Sequence, residues 1–430
     1  MDGRRLRRVA GLLSARLPEL ELEAVPDPRA REGRWMLGQI LRATLVGLLA
    51  GCRSLWEAED LSDRLSQPVR KMLGLPRRLA DTTARDALCR VPLDGLRTAL
   101  HRLVHAAWRR KALAPVGLPV GVVALDGKAT ALPCINGLYA QTHHPESGLP
   151  YGIVRTVTCS LTSAAGRPCI DAIPIPAQTN EMGHFQAAFG SVLENYGALF
   201  QIVTYDAGAL SEANGAAVVG AEKDYLFRLR GDQRTMFKLA SELLDPADVV
   251  ARTLDHLDSK TTVTRTLVLL PVEPHWSYGK GKGPSESVWS HAQTFLRVES
   301  TKTRDGQDVQ NEVRFYVSSH PAKDLTPAQW LQVVRGHWGV ESSHNTFDTA
   351  FAEDDRPWIE ADENGMLAVL LLRRIAYTVL ALFRATTLRS SKNRTMRWKA
   401  LLSWVRDVLV AATADATTDL RPREVYAAAR

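Results

Sequence analysis

The segment HWGVESSHNTFDTAFAEDD, His337 to Asp355, gathers two histidines and five carboxylates among residues that suit a helix. On a helical wheel Val340, Phe347 and Phe351 form an apolar stripe, and His337, Glu341, His344 and Asp348 line up beside it at spacings of four, three and four. Such an edge is where a helix side chain reaches over a sheet, while Ser342 and Asn345 suit the solvent side. Two aspartates far upstream occupy equivalent places: Asp126 ends the strand-like VGVVALDGK and Asp206 ends QIVTYDAG. Ligands of α/β sheets gather beyond the carboxyl ends of strands, so two such ends side by side present two carboxylates to one point. Hard oxygen donors, few of them from protein, are what magnesium takes. Asp after a strand is also an ordinary turn residue, so the pair needs a third carboxylate, which Glu341 offers. Histidine and carboxylate at these spacings can also share zinc, although HExxH is absent.

The elements that would position these groups follow from pattern. A chain of 430 residues exceeds the usual reach of one hydrophobic core, which predicts two or three domains. Apolar content of 45% and charged content of 23% exclude a disordered or fibrous chain. A net charge of +7 and a pI near 9.2 lean towards a polyanionic partner without deciding it. Cys52, Cys89, Cys134, Cys159 and Cys169 form no CxxC pair and read as reduced packing residues. The start, MDGRRLRRVAGLLSARLPELELE, lacks the apolar run of a signal peptide, and ATLVGLLAGC is too short to span a bilayer. A cytoplasmic protein without membrane contact is expected.

Helical spacing fills residues 1–115, as in WMLGQILRATLVGLLAG and LDGLRTALHRLVHAAW. Within it, GLPRRLADTTARDALCR offers Asp81 or Thr82 as cap of a short helix bearing Arg85 and Arg90, preceded by Arg77 and Arg78. Such a helix can enter a DNA groove, or present a solvated face. Residues 116–231 read as strand, hairpin, helix, strand, helix, strand, an α/β mixed sheet. Residues 232–326 hold three strand-like runs around the flexible YGKGKGPSES, predicting an inserted antiparallel β-subdomain. Helices resume over 327–385, with Thr326 as N-cap and Pro327 at the first helical position. The tail, 386–430, is basic, with Lys392, Arg394 and Arg397 beside Trp398 and Trp404.

The strings ALDGK, VTYDAGA with DYLFRLRGDQ, and RGHWGVESSHNTFDTAFAEDD with LLLRRIA resemble the DDE transposases of bacterial insertion sequences, nearest their H-repeat-associated branch. The resemblance covers most of the chain. It implies an RNase H-like mixed-sheet core interrupted by the β insertion and preceded by a helical DNA-binding region. It also implies two Mg2+ ions, replaceable by Mn2+, on Asp126, Asp206 and Glu341, with Asp126 bridging. The implied activity is cleavage and strand transfer of double-stranded DNA, acting on terminal inverted repeats and target DNA as a homodimer. Lys128, Arg230, Gln233, Arg335 and His337 are candidate contacts to DNA near the scissile phosphate. Arg77, Arg78, Arg85, Arg90, Lys392, Arg394 and Arg397 are candidates for binding the repeats. Trp276 and Trp289 are candidates for stacking on an unpaired base. The chain departs from the broader group at Val334, His337 and Asp348, where Tyr, Arg and Lys are usual, and from the branch at Arg230 and Asp232, where Lys and Asn are usual. A transposase-derived DNA-binding protein without chemistry, and a metal-dependent nuclease that cuts without joining, are the rival expectations.

Overall fold

The computed structural model describes residues 3–29, 35–133, 136–206, 208, 210–231, 234–273, 288–388 and 390–411. The chain opens with six helices: α1 (Gly3–Arg16), α2 (Leu37–Leu49), α3 (Leu55–Arg64), α4 (Gln67–Leu73), α5 (Asp81–Leu88) and α6 (Leu93–Arg109). Helix α2 is apolar nearly all round and is almost wholly buried. Neither Asp81 nor Thr82 caps α5. Ala80 is its N-cap, and Glu59 of α3 accepts the Asp81 N–H at 3.0 Å, so a neighbouring carboxylate replaces the local cap.

The sheet contains β1 (Val122–Leu132), β2 (Ala140–His143), β3 (Tyr151–Leu161) and β4 (Cys169–Ile175), then α7 (Glu181–Tyr196), β5 (Ile202–Tyr205), α8 (Glu212–Gly220) and β6 (Asp224–Leu229). After α9 (Arg234–Leu243) come β7 (Ala251–His256), β8 (Thr261–Pro271), β9 (Thr294–Arg304) and β10 (Gln307–Ser318). The spatial order is β2-β3-β1-β5-β6-β10-β9-β8-β7, with β4 on β3. Strands β1, β5 and β6 are parallel, and their neighbours are antiparallel. The strands of the 232–326 segment therefore continue the central sheet through the β6–β10 pair. Helix α9 and edge strand β7 in that segment were not among the sequence expectations.

Two helices complete the frame, α10 (Pro327–Thr349) and α11 (Glu363–Thr386), followed by α12 (Ser391–Arg394) and α13 (Trp398–Ala411). The expected cap of α10 is present: Thr326 Oγ1 accepts from Gln329 N at 3.3 Å, and Gln329 Oε1 accepts from Thr326 N at 2.9 Å. Helix α11 is long and apolar enough to cross a membrane, but its apolar stretch is buried inside the protein, against α2, α6 and β4. Each fully buried leucine along it contributes roughly 2 kcal/mol of hydrophobic stabilisation.

One polar tie joins the N-terminal helices to the sheet. Asp171 of β4 is fully buried and accepts from Arg97 of α6 at 3.0 and 2.7 Å and from Ser191 of α7 at 3.3 Å. Burial alone would raise its pKa; the contacts with His101 and Arg97 outweigh that and hold it at about 2.

Candidate active site

Sheet register brings the two aspartates together. The parallel ladders end with Leu125 beside Tyr205 and Tyr205 beside Phe227. The next residue on each strand is Asp126, Asp206 and Arg228, which therefore stand in a row across β1, β5 and β6. Strand β1 itself does not end at Asp126. It runs on to Leu132 against β3, with Asp126 opposite Thr158, so what stops at Asp126 is the parallel pairing.

Alternation decides which face carries the row. Val122, Ile202 and Leu226 pack with Trp330, Leu331, Val333 and Val334 of α10. With a period of two, Asp126, Thr204, Asp206 and Arg228 share that face. Helix α10 thus crosses from an apolar seat near its N-terminus to a polar one near the strand ends, where His337, Glu341 and His344 lie.

Charges meet at that end. Asp206 Oδ1 is 3.7 Å from Arg228 Nη1, whose other nitrogen is 3.8 Å from Glu312. Arg314 donates to Glu312 at 2.6 Å. The Glu341 carboxyl is held above the ordinary glutamate value, first by burial and then by the charge of Asp206, with Arg314 and Arg228 opposing. His337 is buried, with Nδ1 3.0 Å from Thr204 Oγ1, and burial brings its pKa down to about 4. His344 Nδ1 is 3.3 Å from Asp126 Oδ2, and burial, with the charges of Arg374 and Lys128, brings it down to about 3. Both rings are uncharged at neutral pH.

Several nominated residues lie elsewhere or are otherwise engaged. Lys128 is buried, and its Nζ donates to Asp348 at 2.7 Å and to the Asp354 carboxylate at 3.2 Å, so its charge is already engaged inside the protein. Arg335 pairs with Asp255 at 2.7 Å. Trp289 is only 6% exposed and packs against Tyr225 and His291, so it is a core residue and not a stacking platform. Arg230 is exposed just beyond β6. Arg77, Arg78, Arg85 and Arg90 are exposed; Arg77 lies over Trp35 and Arg78 pairs with Glu59. Arg394 and Arg397 are exposed, and Arg394 donates to Leu388 O at 2.7 Å. Gln233, Trp276 and the Lys392 side chain lie outside the described residues.

Other residues here escaped sequence reading. Arg228 lies 3.7 Å from Asp206 and the charge of Arg314 acts on Glu341; only register puts Arg228 level with Asp206. Helix α10 ends at Thr349, and Glu353 is fully buried in an ion pair with Arg374. The signal was present in Arg373 and Arg374, two cations inside an otherwise apolar helix that demand a buried partner.

Among the described residues, one acidic group, Asp348, Glu353 and Asp354, has ligand atoms all within 4.8 Å of one another. Lys128 and Arg374 are already paired into it, so it reads as a charge-balanced structural cluster. Among the described residues no histidine belongs to such a group. Asp126, Asp206 and Glu341 offer carboxylate oxygens only, a hard donor set that suits magnesium or manganese.

No known protein-family profile matches the sequence, and no curated protein matches it. Among solved structures, the chain is similar to one described as the piggyBac transposase synaptic complex with hairpin DNA. The identity is 11% and the TM-score 0.40, over 98% of this chain and 80% of that one. A likeness at that level shows no shared function.

Proposed function

We propose that this chain is a DNA transposase of the DDE type, using Asp126, Asp206 and Glu341 to cut and join DNA strands. The observation that carries the reading is the row of Asp126, Asp206 and Arg228 at the end of the parallel ladders, with Glu341 presented over it by α10. The order β4-β3-β1-β5-β6, three antiparallel strands and then two parallel ones, supports an RNase H-like core. Two bound magnesium or manganese ions would activate water or a 3′-hydroxyl and stabilise the leaving oxygen.

The chain's own groups have separate tasks. Asp126, Asp206 and Glu341 hold the ions. Arg228 and Arg314 supply positive charge beside them, where a scissile phosphate would otherwise meet three carboxylates. Arg85 and Arg90, exposed on or beside α5, offer the N-terminal helices a cationic face for duplex DNA. Terminal inverted repeats and a target duplex are the proposed substrates, a homodimer the proposed assembly, and the cytoplasm the proposed location.

The test incubates purified protein with magnesium, labelled DNA from the flanks of the coding region, and a plasmid target. Joined products are expected from the native protein. Asp126→Ala, Asp206→Ala and Glu341→Ala should each lose cleavage by at least about 10³-fold while still binding DNA. Full cleavage by any of the three would overturn the assignment. Cuts without joining would favour a nuclease, and binding alone a protein that has kept only the fold.

A further inference from the structure

Helix α10 meets the two aspartate strands through two histidines. His344 Nδ1 reaches Asp126 Oδ2 on β1 at 3.3 Å, and His337 Nδ1 reaches Thr204 Oγ1 on β5 at 3.0 Å, two residues before Asp206. Glu341 lies between them, four residues after His337 and three before His344. Small residues let the helix sit close here. A Cβ on Gly339 would come within 2.9 Å of the Arg167 side chain, and one on Gly336 within 3.2 Å of Thr162.

Attraction among the acids cannot hold this arrangement. Asp206 and Glu341 carry like charge when ionised and repel. The apolar seat at Trp330 to Val334 lies about two turns or more from Glu341 along the helix, so its rotation and height there are set by nearer contacts, among them the buried Val340 and Phe347. An ionised carboxylate only accepts hydrogen bonds, so the Asp126 contact selects the His344 tautomer with its proton on Nδ1. That contact occupies one Asp126 oxygen and fixes the direction of the other.

We infer that His337 and His344 are positioning residues for the three carboxylates: His344 sets the rotamer of Asp126, and His337 sets the seat of α10 over β5 so that Glu341 faces the aspartates. The inference rests on the proposed metal-binding role of those acids. Neither histidine touches substrate in this scheme.

The test is Mn2+ titration of the full-length protein without DNA, followed by electron paramagnetic resonance, alongside the Mg2+ dependence of strand cleavage. An Asn amide nitrogen falls near the Nδ1 position and a Gln amide nitrogen near Nε2, so the two replacements keep polarity but differ in reach. His344→Asn should keep Mn2+ affinity within about threefold, whereas His344→Gln and His344→Leu should each weaken it by about tenfold or more. His337→Leu should raise the Mg2+ concentration needed for half-maximal cleavage by a similar factor. Equal Mn2+ affinity in the Asn, Gln and native proteins would overturn the inference, even if the Leu variants fail to fold. Asp126→Ala and Glu341→Ala separate the two failures. If they retain native Mn2+ binding, the metal-site reading itself falls; if they lose it while both histidine series bind normally, only the positioning roles fall.

Discussion

Glu341 holds its proton more tightly than an ordinary glutamate, through burial first and Asp206 second. A carboxyl whose folded pKa lies above its unfolded one adds stability below the unfolded value, and that stability is lost as pH rises through the folded one. Glu341→Gln should therefore raise the thermal midpoint at pH 7 in metal-free buffer, with the gain vanishing near pH 4. The residue is still partly open to solvent, so screening keeps the effect below about 1 kcal/mol. A lower midpoint for the Gln variant at pH 7 would contradict this account. Glu353 is the opposite kind of residue, buried against Arg374. Glu353→Ala strands a buried guanidinium and should cost about 3–5 kcal/mol in urea unfolding.

At the scale of elements, Asp171 binds β4 to α6 and α7 through Arg97, His101 and Ser191. Its pKa is depressed to about 2, so its contribution is present above the unfolded value near 4 and is lost as pH falls towards 2. Asp171→Ala should destabilise the protein by about 3–5 kcal/mol at neutral pH. It should also flatten the loss of stability between pH 4 and pH 2, which chemical unfolding across that range would measure. Helix α10 depends less on one group. Thr326→Ala should cost about 1 kcal/mol through the lost cap, measured in the same way.

At the scale of the whole molecule, the excess charge of +7 matters only where it faces a polyanion. On the proposed reading, DNA affinity falls steeply with salt, by a slope near 0.9 per neutralised phosphate. Replacing both Arg85 and Arg90 with Ala should lower that slope by about 1 to 2 and leave urea unfolding unchanged, since both side chains are exposed. An unchanged slope would remove α5 and its flank from the DNA interface. The ten-stranded sheet gives β7–β10 a direct route to the carboxylates through β10 and β6.

Local pattern alone determined much of this protein. Runs of β-branched and apolar residues located β1, β5 and β6, period-3.6 spacing located α10, the TPAQ start located the α10 cap, and the spacing of His337, Glu341 and His344 put them on one helix edge. These are short-range properties, written within a few residues of where they act. Tertiary structure decided the rest. Arg228 is level with Asp206 because the parallel pairings of β1, β5 and β6 end at the same rung, and Lys128 is paired with Asp348 and Asp354, more than two hundred residues away. Trp289 is core because Tyr225 and His291 close over it. Partners of this kind depend on strand register and helix seating, which are set by the summed packing of the whole core and leave no local periodicity to read.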